Sequence, residues 1–83
     1  MKTRPHLETA YLQYAVTMRA DLQRFDRKTD KPDGLVVFVN FHDAAEKLRA
    51  SCQRRGFVKA ERKFQKLRDL AEFKIRKLEA WHA

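Results

Sequence analysis

At 83 residues the chain has room for one domain, residues 1–83, with a thin core, because a small body buries a modest share of its surface. Hydrophobic residues make up 43% and aromatics 11%, which excludes a disordered chain, and 19 Lys and Arg against 11 Asp and Glu leave a formal charge of +8. That field favours polyanions: nucleic acid, an anionic surface or an acidic protein face. Cys52 is the single cysteine, which excludes an intrachain disulfide and the secreted scaffolds built on one, so a reducing cytoplasm is the expected setting.

The prolines and glycines punctuate the chain into three segments. Pro5 suits a helix start, with Thr3 as its cap. From there Leu7, Tyr11, Tyr14, Met18, Leu22 and Phe25 recur at steps of three and four, predicting a helix over about 5–25 with these residues on one face. Nothing between Met1 and His6 reads as a signal core. A charged turn follows from Asp26 to Gly34, in which Pro32 biases Lys31 away from helix and Asp33 is placed to cap what comes next.

Leu35-Val36-Val37-Phe38-Val39 is the longest apolar run, and its five residues fall far short of the roughly 18 that a membrane span needs. Its β-branched content is compatible with a strand, but a strand here would need a partner from another chain. The steps Leu35, Phe38, Phe41, Ala45, Leu48 and Cys52 continue at helical spacing, predicting a second helix over about 34–55. Gly56 then reads as a left-handed helix terminator, with Phe57 and Cys52 as the apolar pair that often accompanies it. The apolar phase restarts as Phe57, Ala60, Phe64, Leu67, Ala71, Leu78 and Trp81, with Ile75 alongside, predicting a third helix over about 57–82 that lacks a capping residue of its own. The expected fold is all-α: a small three-helix bundle, a helical hairpin plus a long basic C-terminal helix, with a dimer as one way to enlarge its thin core.

The residues that carry chemistry are scattered. Nucleophilic catalysis needs a Ser, Cys or Thr beside an oriented base. Ser51 and Cys52 have no histidine nearby in sequence, and Cys52 falls on the apolar stripe as a small core residue. His6, His42 and His82 do not cluster at metal-ligand spacing, and His42 and Asp43, as helical neighbours, are not expected to face one another. Two isolated glycines make no phosphate loop. No catalytic residue, metal, cofactor or small-molecule substrate is therefore expected.

The informative feature is the cluster from Arg54 to Lys77, where ten basic residues meet three acids, Glu61, Asp69 and Glu72. Lys59, Arg62, Lys63 and Lys66 lie about a turn apart, away from Phe57, Phe64 and Leu67. With Arg54, Arg55, Lys74 and Lys77 they form the candidate contact for nucleic acid or an acidic partner, since cations that neutralise phosphates release counterions. An ordinary solvated face, with pairs such as Glu72–Arg76 and Asp43–Lys47, is the competing account. Arg54-Arg55-Gly56 between two helices only weakly resembles a helix-turn-helix, because the third helix is long and opens on Phe57-Val58.

Leu12 and Val16 lie off the first apolar stripe, and Val36, Val37 and Val39 widen the second. These five are the candidate protein interface, for a homodimer or a docked partner. The leading functional expectation is a basic, non-enzymatic regulatory or accessory protein that binds nucleic acid through its C-terminal helix. The alternative is a protein-binding inhibitor or adaptor of the size phages and mobile elements encode, docking on a nucleic-acid-processing machine or an acidic partner. A membrane-surface helix is disfavoured because the three apolar faces look complementary to one another.

Overall fold

The computed structural model describes residues 5–28 and 33–81, and side chains within 7–25 and 34–80. The expectations for Thr3, Pro32, and the side chains of Asp33 and Trp81 lie outside this range. Three helices pack together: α1 (Pro5–Lys28), α2 (Asp33–Arg55) and α3 (Val58–Trp81), with no strand among the described residues. The β-branched run at 35–39 is helical. Phe38 and Phe41 from this part of α2 enter the core, and that burial outweighs the modest helix cost of the intervening valines. α1 continues one turn past the expected end at Phe25, to Lys28.

The helices run up, down and up. Tyr11 of α1 stacks its ring against Phe57 and Phe64 near the start of α3, at centroid distances of 5.8 and 6.3 Å. Farther along, Leu22 shares a cleft with Leu70 and Phe73, so α1 and α3 are parallel. α2 opposes both, with Glu46 meeting Arg68 and Arg49 meeting Glu61. Backbones come closest between α2 and α3; α1 leans mainly on α3. Small residues explain the close seam: Ala45 and Cys52 on α2 and Ala60 and Ala71 on α3 are fully buried, and interaxial distance follows side-chain size. The rest of the core is Ala15, Met18, Leu22, Phe38, Phe41, Phe57, Phe64, Leu67 and Leu78.

On α1 the buried position is Ala15, and Tyr14 is 51% exposed. The tyrosine fits the three-four spacing, but the face turned toward α3 is centred one residue on. Because successive helical residues rotate by about 100°, Tyr14 swings outward.

The α2–α3 connection is a Schellman motif. Gly56 has φ of 74°, its N–H donates to the Gln53 carbonyl at 3.2 Å, and the Phe57 N–H donates to the Cys52 carbonyl at 2.9 Å. Phe57 and Cys52 are both buried in the same cluster, the apolar contact that closes the motif. The missing cap of α3 comes from another helix. A Glu8 carboxylate oxygen of α1 accepts from the free N–H of Ala60 at 3.4 Å. None of the described helices is long and apolar enough to cross a membrane.

Candidate functional site

The basic cluster of α3 divides into two populations. One edge of α3 faces α2 and carries a ladder of ion pairs. Arg49 grips Glu46 with two parallel bonds, at 2.9 and 2.8 Å, and reaches Glu61 at 3.1 Å. Arg68 donates at 2.6 Å to Glu46 Oε1, the oxygen that also accepts from Arg49 Nε, and also contacts Asp69. Arg76 pairs with Glu72 at 2.6 Å. The hydrogen bonds from Arg49 and then Arg68 hold the Glu46 carboxyl down at about pH 2, and Glu46 in turn raises both guanidinium pKa values. Arg49 and Arg68 clamp α2 to α3, whereas the Arg76–Glu72 pair is exposed and lies within α3.

The second population is free. Arg54, Arg55, Lys59, Arg62, Lys63, Lys66 and Lys77 are exposed, and none of them forms an ion pair among the described residues. Lys74 differs: it is half-buried and already engaged. The partition follows from rotation about α3. Glu61, Arg68 and Glu72 turn toward the acids and Arg49 of α2, and Lys59, Lys63 and Lys66 turn the other way, toward α1. The acids of the region are thus consumed on one edge, and unneutralised positive charge remains on the other. From Lys59 to Lys77 this charge extends along about 27 Å of helix.

α1 adds to the same side. Arg19 lines a cleft with Lys63 and Lys66 over Leu12, Ala15, Val16 and Leu67, about 300 Å³ in volume. Of the apolar residues singled out as an interface, Leu12 is half-buried against the core and Val16 is 71% exposed beside this cleft. Val36 and Val39, three residues apart, share one exposed face of α2, whereas Val37 turns about 100° away from Val36 and is half-buried. Leu70, 42% exposed, and Phe73, 62% exposed, were not apparent as surface residues from the periodicity, and they stand among the basic residues of α3. Counting apolar residues off the stripe of α3, as for the other two helices, would find them.

The remaining chemistry-bearing residues have ordinary roles. Burial pushes the Cys52 thiol up in pKa, and the nearby charges of Glu8 and Glu61 push it further. Contrary to the expectation for helical neighbours, His42 Nδ1 does reach Asp43, at a long 3.5 Å, and its Nε2 lies 4.0 Å from Glu72 across the seam. Asp43 is thereby turned to His42, and the anticipated Asp43–Lys47 pair does not form, whereas Glu72–Arg76 does. Tyr11 shares a hydrogen bond of 3.2 Å with Ser51, tying α1 to α2. Among the described residues no group of His, Cys, Asp and Glu has the arrangement of a metal site. In comparisons with known proteins, no family model, curated protein or solved structure matches this chain.

Proposed function

We propose that this protein is a small accessory factor that binds nucleic acid, without catalysing a reaction, through the free cations at the α2–α3 turn and along the α1 side of α3. The observation that carries this reading is the segregation of charge. Glu46, Glu61, Asp69 and Glu72 are all paired to Arg49, Arg68 or Arg76, and Arg54, Arg55, Lys59, Arg62, Lys63 and Lys66 have no carboxylate partner among the described residues. A solvated face would be expected to interleave its acids with its lysines. Here the lysines stand in a row, and a row of cations is what a phosphate backbone neutralises. Cys52 is unpaired, as expected of a chain that works in a reducing cytoplasm.

The test is affinity for short labelled single-stranded and duplex nucleic acid across salt concentration. With four to six phosphates engaged, log affinity falls with log salt at a slope of about −4 to −5 for the duplex and about −3 to −4 for the single strand. Replacing Arg54, Arg55, Lys59 and Arg62 by Ala flattens the slope and weakens binding. A slope near zero in the parent protein, or no binding at low salt, overturns the reading. A second reading, an adaptor or inhibitor that docks on another protein, is favoured by Val16, Leu70 and Phe73, which expose apolar surface beside the same cations.

A further inference from the structure

The α1–α3 cleft has an apolar floor and a cationic rim. Leu12, Ala15 and Leu67 form the floor, Val16 stands at its lip, and Arg19, Lys63 and Lys66 surround it. At Arg19 the cleft meets a second depression of about 260 Å³, where Leu22, Leu70 and Phe73 supply the apolar surface and Arg19 the charge. The acid lining this stretch, Asp69, is held by Arg68.

We propose that this cleft is the docking site of an acidic amphipathic helix from a partner protein. The chemistry of the cleft selects the occupant. A phosphate backbone gains nothing from a floor of Leu, Ala and Val, whereas a helix can set apolar anchors on that floor and carboxylates against Arg19, Lys63 and Lys66. From Lys63 to Lys74 the cleft is about 16 Å long, three turns of helix. A second copy of this chain is the wrong occupant. In a two-fold pair the same patch meets itself, so Arg19, Lys63 and Lys66 would face like charge. Arg54, Arg55, Lys59 and Arg62 do not line the cleft, so variants at these four positions test nucleic-acid binding without touching the docking site. Lys63 and Lys66 belong to both surfaces, so a docked acidic helix and a nucleic acid exclude one another.

The test uses a fluorescent synthetic peptide with Leu at i, i+3, i+4 and i+7 and Glu at the flanking positions. It binds the full chain saturably and gains helical circular dichroism. Changing its Leu anchors to Ser, or its Glu residues to Lys, lowers affinity at least about tenfold, as does the double variant Val16→Ala, Phe73→Ala in the protein. Both protein positions are exposed, so the variant keeps the fold, which its melting temperature verifies, and its affinity for nucleic acid stays within about twofold of the parent's. Added peptide displaces nucleic acid from the parent protein. The proposal is overturned by any of four results: no peptide binding, equal binding of the Ser-anchored peptide, full peptide affinity in the double variant, or a concentration-dependent dimer of the parent that the double variant abolishes.

Discussion

Glu8 and Ala60, 52 residues apart, are joined by a hydrogen bond from the Ala60 N–H to the Glu8 carboxylate at 3.4 Å, so that one helix caps another. The first N–H groups of a helix have no internal partner and carry partial positive charge. α3 opens on Phe57-Val58, which cannot supply a cap, and α1 delivers a carboxylate because Tyr11, one turn later, docks on Phe57 and Phe64.

Glu8→Ala therefore destabilises the protein by about 0.5–1 kcal/mol, toward the lower end for a lost cap because the contact is long. Amide hydrogen exchange at Ala60 accelerates more than exchange in the middle of α3. Unchanged exchange there would remove Glu8 from the capping role.

Gly56 adopts φ of 74°, and a Cβ placed on it would meet nothing within 4 Å. The cost of Gly56→Ala is therefore backbone strain alone, about 1 kcal/mol, and a β-branched residue costs more. Urea denaturation measures this as a lower midpoint with an unchanged slope.

Glu46 links acid stability to the α2–α3 seam. Its pKa falls from 4.5 to about 2 on folding. A depressed carboxyl pKa contributes stability that is fully present above pH 4.5 and is lost as pH falls toward 2. The side chain is 39% exposed, so solvent screening holds the contribution to about 1 kcal/mol. Glu46→Gln lowers the unfolding free energy at neutral pH, and the gap from the parent narrows between pH 4.5 and 2. A constant gap across that window would contradict the linkage.

Arg68 and Arg62 are six residues apart and carry the same charge, but their roles are opposite. Arg68 holds Glu46 and Asp69, whereas Arg62 has no partner among the described residues. Arg68→Ala lowers the melting temperature by several degrees and changes nucleic-acid affinity about as little as any single remote charge. Arg62→Ala does the reverse, and reduces the salt slope by about one phosphate's worth. Thermal melts and salt titrations on the two variants separate these effects.

The Cys52 thiol is fully buried with a raised pKa. It reacts with an aromatic disulfide reagent only on unfolding, at a rate that tracks denaturant concentration. Rapid reaction in native buffer would mean that the α2–α3 seam opens locally.

The sequence carried the helices and their junction because both are local properties. The apolar phase of residues 57–78 and the Gly56 break depend on residues near one another in the chain. What it did not carry is which neighbour each side of a helix meets. Ala15 replaces Tyr14 in the core because α1 packs chiefly on α3, and alanine is too weak a hydrophobic signal to announce that choice. Arg68 and Lys66 look equivalent as text, and only the position of Glu46 on α2 separates a clamp from a free charge. The cap from Glu8 is out of reach of any local pattern.

The seam between α2 and α3 joins close-packed alanines to a ladder of ion pairs. α1 packs mainly on α3 through side chains, and the Tyr11–Ser51 bond and the Glu8 cap are among its polar ties. Mechanically the molecule is a stiff α2–α3 hairpin with a softer α1 laid along it. Since α1 forms one wall of the cationic cleft, whatever occupies that cleft also glues α1 down. Occupancy and the order of the first helix then become a single thermodynamic variable.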